Sequence, residues 1–223
     1  MIRSSILMTL ALSLVATVAM AEPPSNGYIG VFGDAAGTNC CISLTPSGNG
    51  KLHVFAVTGG ASSEGLTGAE FKVSIEPPAP GAFFHWNPAN GANMSVGSPV
   101  DNGDGGEGLT LTFGECQTQT GLAGDKVLLG TLHVYHLTGE HRLVVRRHNT
   151  PTNANFTCPS MLLCDAPAYT QVCLTMKEGD PALAGEAPAA FVSAVNAASC
   201  EGTSCGFVST ETKTWSTVKD LYR

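Results

Sequence analysis

The chain has 223 residues, and its 11 Lys and Arg against 18 Asp and Glu leave a formal charge of −7. That acidic balance argues against nucleic acid and anionic membrane surfaces as partners. With 26 Gly, 13 Pro and 13% charged residues, the composition suits many short strands joined by tight turns better than it suits helices.

The first segment reads as an export signal. Arg3 supplies a positive start, Ile6 to Met20 form an apolar run, and Ala19-Met20-Ala21 is a small-x-small cleavage pattern, so residues 1–21 are expected to be a signal peptide removed before Glu22. The apolar run is short for a bilayer span, and Glu22-Pro23-Pro24 follows it at once. No later segment is long and apolar enough to cross a membrane, so the mature chain is expected to carry no membrane span. The expected address is the medium or the cell surface, with the periplasm as the alternative. Losing Arg3 leaves ten basic against eighteen acidic side chains, a charge of −8.

All eight cysteines lie after the leader: Cys40, Cys41, Cys116, Cys158, Cys164, Cys173, Cys200 and Cys205. An even count in an exported chain favours disulfides over metal ligation. Cys200 and Cys205 flank a four-residue, Gly-containing gap, and are expected to bridge. Cys40 and Cys41 are adjacent and are expected to take two different partners. Cys158, Cys164 and Cys173 read as loop staples, because the closely spaced ligand pairs of a zinc site are absent.

In chain order, strands are expected at Tyr28–Phe32, Cys40–Leu44 and Lys51–Val57, the last apolar on both faces. Glu70–Glu76 alternates, with Phe71, Val73 and Ile75 inward and Glu70, Lys72, Ser74 and Glu76 outward. Leu109, Leu111 and Phe113 alternate with Thr110 and Thr112. Val127–Leu137 is a long apolar run in which Gly130 marks a bulge or bend. After a turn at Gly139, Leu143–Arg147 reads as its hairpin partner. Tyr169–Thr175 and Ala190–Val195 follow. Thr214 to Arg223 shows helical spacing of Trp215, Val218 and Leu221 or Tyr222. The expected fold is therefore all-β, an Ig-like or cohesin-like antiparallel β-sandwich with a short C-terminal helix. Residues 22–176 would form the sandwich, and 177–223 a loop, further strands and a short helical tail, either packed on the sandwich or free as a docking tail.

The order of a hydrophobic strand, Gly59-Gly60, Gly65-Leu-Thr-Gly-Ala-Glu-Phe-Lys-Val73, an aromatic loop, the Gly103-Asp-Gly-Gly106 loop and Leu128-Leu-Gly-Thr-Leu-His-Val134 resembles the cohesin and carbohydrate-binding-module class of sandwich. Over its whole length, including Cys158 to Cys173 and the ending Thr214 to Arg223, the chain resembles uncharacterised exported bacterial proteins. The first resemblance implies a protein or glycan ligand; the second implies no activity.

Two constellations are candidate sites. Phe83, Phe84 and Trp86, beside His85, are the aromatics a sugar-binding platform uses. Against this, Phe84 and Trp86 would share one face of a short strand and point into the core, the commoner use of large aromatics. Asp101, Asn102, Asp104 and Glu107 supply oxygens that Ca2+ would accept. Their spacing does not match the helix-flanked calcium loop, and a Gly- and Asn-rich turn explains the same residues. Calcium is the single cofactor the sequence raises, and the turn without it is the expectation.

His133 and His136 are three apart, so on a strand they face opposite sides. Arg142, Arg146 and His148 share a face and are expected to be solvated and paired with the chain's carboxylates. Gly60 to Gly65 does not match the G-x-S-x-G nucleophile elbow, and no other catalytic motif is present. Asn93-Met-Ser95 and Asn155-Phe-Thr157 fit the glycosylation sequon. The expected function is an exported, non-catalytic binding or structural module whose ligand is a protein or a glycan. The alternative is a secreted hydrolase working through carboxylates.

Overall fold

A computed structural model describes residues 27–58, 64–118, 126–154, 158–174 and 191–197. The expected leader, the expected Cys200–Cys205 bridge and the expected C-terminal helix all fall outside the described residues. Within them the chain is all-β, two sheets packed as a sandwich. The strands are β1 Gly27–Phe32, β2 Cys41–Ile42, β3 Gly50–Thr58, β4 Leu66–Glu76, β5 Phe83–Pro88, β6 Ala92–Ser98 and β7 Val100–Asp101. They continue with β8 Gly108–Gln117, β9 Lys126–Tyr135, β10 His141–Arg146, β11 Ser160–Leu163, β12 Gln171–Cys173 and β13 Phe191–Val195.

Four strands form one sheet in the order β1-β3-β9-β5, all antiparallel. The other nine form a second sheet whose spine is β4. The first half of β4 lies between β8 and β11, and its second half between β7 and β10. Beyond β10 come β13 and β2, so a strand from after residue 177 is woven into the sandwich. Pairing is antiparallel except at β4–β7 and β13–β2.

The inward sets predicted from alternation on β4 and β8 are buried, and β1, β3 and β9, expected as a strand and two apolar runs, supply the facing half of the core. Phe71, Val73, Ile75, Leu109 and Leu111 are buried from the nine-stranded sheet, and Ile29, Val31, Leu52, Val54, Leu132 and Val134 from the four-stranded sheet. Each such side chain contributes about 1.5–3 kcal/mol relative to exposure. The expected irregularity at Gly130 is present: the β3–β9 register shifts so that Leu129 is skipped, with Gly130 opposite Val54 and Leu128 opposite Phe55. The Gly is needed as well as allowed. A Cβ on Gly130 would come within 2.5 Å of the Trp86 ring and the Asn87 carbonyl oxygen.

Leu143–Arg147 is not the hairpin partner of Val127–Leu137. β9 and β10 belong to different sheets, and β10 pairs with β4 and β13. His136 adopts a left-handed φ of 61°, which turns the chain out of β9. Leu137 is then buried, its N–H donates to Gly48 O at 3.0 Å, and the Asn196 amide donates to Leu137 O and Gly139 O at 3.1 Å. A short connection with a Gly fits a hairpin equally well in sequence; the apolar Leu137 makes it a corner between sheets.

On β4 the outward charges are where alternation predicts and yet are covered. Glu70 and Lys72 do face away from the core, but they are not solvated, with relative exposures of 7% and 9%. The segment after β10 folds back over them. Glu70 accepts hydrogen bonds from Thr110 Oγ1 (3.2 Å), the Thr152 hydroxyl, Thr152 N (3.2 Å) and Gln171 Nε2 (3.2 Å). Lys72 Nζ donates to Asp101 Oδ2 (2.8 Å) and Asn149 Oδ1 (3.0 Å). Cover by a loop forces this pairing, since an unsatisfied buried charge costs several kcal/mol.

Two disulfides brace the same sheet. Cys116–Cys164 ties the end of β8 to the end of β11 on either side of β4, and Cys158–Cys173 closes the β11–β12 hairpin. Cys40 and Cys41 are disulfide-bonded as well. Such bonds persist in an oxidising compartment. No helix among the described residues is long and apolar enough to cross a membrane.

Candidate ligand-binding face

The aromatic segment Pro80 to Pro88 forms β5, the edge strand of the four-stranded sheet. Alternation divides its side chains. Phe84 and Trp86 turn inward and pack against the core; Trp86 meets Phe71 edge-on (ring centroids 6.3 Å) and donates from Nε1 to Ser95 Oγ at 3.3 Å. Phe83 points outward and is 62% exposed. The three aromatics therefore do not form one platform, because a strand cannot present residues 83, 84 and 86 on one side.

Register supplies what spacing could not. Phe83 lies directly opposite Tyr135 of β9, which is 40% exposed, and the two rings sit 5.9 Å apart, tilted by 38°. One step along the strands, His85 faces His133, which in turn faces Lys51 of β3; the imidazoles are 6.3 Å apart. A further step brings Asn87, Thr131 and His53 into one row, with Asn87 Nδ2 3.4 Å from His133 Nε2. The outer face thus carries an aromatic row, a cationic and imidazole row, and a polar row. His136 joins it too. Strand alternation stops at Tyr135, so the opposition expected between His133 and His136 does not hold. His136 lines one cleft of about 490 Å³ with Phe83, His85 and Tyr135.

Phe83 also walls a second cleft, of about 470 Å³, with Phe84, Ser98, Asn102 and Asp104. The two sequence candidates, aromatic segment and acidic loop, meet there. The loop is held as a turn by its own oxygens. Asp101 Oδ1 accepts N–H groups from Gly103 (3.1 Å) and Gly105 (3.2 Å), and Asp104 Oδ1 accepts from Gly106 N (3.2 Å). Asn102 is paired in both directions with the backbone of Ala79. Glu107 is exposed. A cation at Asp101 would compete with the Lys72 ammonium. Among the described residues, no group of three His, Cys, Asp or Glu is arranged to hold a metal ion.

No family model, curated protein or solved structure matches the chain. The face is therefore judged on its own chemistry.

Two groups on it and near it have displaced titrations. Partial burial holds the His53 imidazole below its ordinary value, and Lys51 and His133 push the same way, with Asp34 opposing. Burial by itself would raise the Asp101 carboxyl; the Lys72 hydrogen bond and charge and the Gly103 and Gly105 N–H groups outweigh it, and the group lies below its ordinary value. The expected Arg142, Arg146 and His148 face is dispersed. Arg146 pairs with Glu76 at 2.5 Å and Arg142 is exposed. His148 lies past the end of β10 and is buried against Gly108, its Nδ1 accepting from Thr150 N at 3.1 Å.

Sequence reasoning missed Tyr135, His85, His133 and Lys51 as a set. Each sits at an outward position of its own strand, but only the β3–β9–β5 pairing makes them neighbours.

Proposed function

We propose that this chain is an exported, non-catalytic binding module that receives a glycan on the outer face of its four-stranded sheet, at the Phe83–Tyr135 end. The carrying observation is the pair of exposed, facing aromatics on paired strands, flanked by two rows of hydrogen-bonding side chains. Soluble proteins normally bury large aromatics, and the C–H faces of sugar rings stack on such surfaces while their hydroxyls bond to the polar rim. The leader pattern of residues 1–21 and the disulfide bonds support export.

Hydrolysis through carboxylates has less to support it. That chemistry needs two carboxyl groups about 5–9.5 Å apart across one cleft. Glu70, at the floor of a cleft of about 190 Å³ lined also by Met94 and Leu162, is committed to the hydroxyl, amide and backbone donors of Thr110, Thr152 and Gln171.

A glycan array probed with the full-length chain, purified from an oxidising compartment, tests the reading. Specific capture by the wild type, lost in Phe83→Ala and in Tyr135→Ala, is expected. Capture of no glycan, or capture indifferent to both substitutions, would remove the reading. Parallel arms with added Ca2+ and with chelator decide whether Asp101, Asn102, Asp104 and Glu107 contribute.

A further inference from the structure

Resting on that reading, we infer that the glycan is acidic: the face is built for a saccharide carrying a carboxylate, a hexuronate, with its ring on Phe83 and Tyr135 and its carboxylate on the Lys51–His133–His85 row.

Charge complementarity carries the argument. The chain as a whole is acidic, at −7, yet His85 and His136 share a cleft with the aromatic pair, and Lys51 and His133 lie in the same row as His85, with His53 one row further. No Asp or Glu lies in β1, β3, β5 or β9. A local basic field on an acidic protein points to an anionic ligand, since electrostatic complementarity sets partner choice more than it sets raw affinity. The field is also one-sided. Phe83 separates the histidine cleft from the one that holds Asp104, so an acidic saccharide is favoured in one orientation, its carboxylate away from Asp104.

Spacing agrees. Same-face residues on a strand repeat at about 7 Å, so the row of Lys51, His133 and His85 lies that far from the aromatic row. That is the step from a ring stacked on an aromatic to a hydrogen-bonding partner of the carboxylate at its edge. Imidazoles and an ammonium are donors of charge-assisted hydrogen bonds, which are roughly twice as strong as neutral ones. They also make the site sensitive to pH. Imidazole is the side chain whose charge state changes most readily near neutral pH, so a carboxylate held by several of them is held in a pH-dependent way. Among the described residues, Tyr135 and His53 lie on the same face, and Asp34 acts on His53 from the loop after β1. His53 takes its proton later than the rest of an ordinary histidine population, being held low by burial, Lys51 and His133.

Titration calorimetry of the full-length chain with hexagalacturonate, its neutral galactose counterpart and a sulfated galactose oligomer, at about pH 5.5 and 7.5, decides the matter. Tighter binding of the uronate than of the neutral oligomer, by about tenfold at the lower pH, is expected. It should weaken severalfold at the higher pH and in added salt. Lys51→Ala and His133→Gln should each reduce uronate binding severalfold and reduce binding of the neutral oligomer much less, so that the preference for the acid narrows, and His85→Gln is a second, more exposed variant should His133→Gln perturb the sheet. Equal binding of acidic and neutral oligomers would overturn the inference and leave the glycan reading standing. Preference for the sulfated oligomer alone would overturn the carboxylate assignment. Binding of no saccharide here or on the array would remove both.

Discussion

The two sheets share one alternation of apolar and polar side chains, yet the spine of one and the β5 edge of the other meet opposite fates on their outer faces. On the nine-stranded sheet, outward Glu70 and Lys72 are buried under the segment that follows β10, and every contact they make is a matched donor and acceptor. On the four-stranded sheet, outward Phe83 and Tyr135 remain open to solvent, with imidazoles beside them. That openness is local to the β5 edge: toward β1 the same face is covered by the loop after β1, which buries Phe32, Phe55 and Lys126, the Lys126 ammonium donating to Ala36 O and Gly37 O. Outward on a strand therefore means only away from the core; whether water or another segment waits there depends on what the loops do. A covered polar face stabilises through satisfied hydrogen bonds, whereas an uncovered aromatic face contributes little to stability.

That contrast can be sharpened by measurement. The largest effect is expected on the covered side. The Cys116–Cys164 bridge spans 48 residues, and its removal by Cys116→Ala with Cys164→Ala should cost about 4 kcal/mol in urea unfolding by the loss of loop closure. The 15-residue Cys158–Cys173 bridge should cost about 3 kcal/mol on the same reasoning. Equal, negligible costs would show that β8 and β11 hold to β4 without covalent help.

Next is Lys72→Met, which keeps the stem and removes the ammonium, leaving Asp101 without its cation. The Asp101 side chain is 15% exposed, and a loss of about 3 kcal/mol is expected, since breaking a buried pair strands a charge. The same pair fixes a pH dependence. Asp101 is held below its ordinary value in the folded chain, so its contribution is complete above the unfolded pKa of about 3.9 and is lost as pH falls through the lower folded value. Lys72→Met should flatten that acid limb of the stability curve. An unchanged limb would assign acid unfolding to other carboxylates.

The smallest effects separate neighbours on one strand. Trp86→Ala should cost about 2 kcal/mol, because it empties packing against Phe71 and Gly130. Phe83→Ala, three residues earlier, should change stability by less than about 0.5 kcal/mol. A comparable loss at both positions would mean that Phe83 packs in solution and that the open face is smaller than described.

How much of this was legible in the sequence varies by element. β1, β3, β9 and the inward set Phe71, Val73 and Ile75 could be read directly, because alternation and apolar runs report the core face of each strand locally. Ala92–Ser98 could not. It is an edge strand of Asn, Met, Ser, Val and Gly, mostly exposed, and its strand conformation comes from pairing with β8 instead of its own side chains. The aromatic segment was half legible. Its spacing placed Phe84 and Trp86 inward, but nothing local showed that Phe83 would find Tyr135 across the sheet, 52 positions later. The acidic loop was legible as a turn, though not that its Asp101 would be drawn to a buried lysine.

The amino-acid sequence by itself determined the strand-rich class and the inward faces, through interactions between residues a few positions apart. It also set the eight cysteines available for cross-linking. Tertiary structure alone decided that β9 and β10 part company at Leu137, that Glu70 and Lys72 are covered, and that an aromatic pair and a histidine row meet on an open face. These outcomes depend on register and chain crossover. Both arise between segments distant in sequence, where no local pattern carries the information.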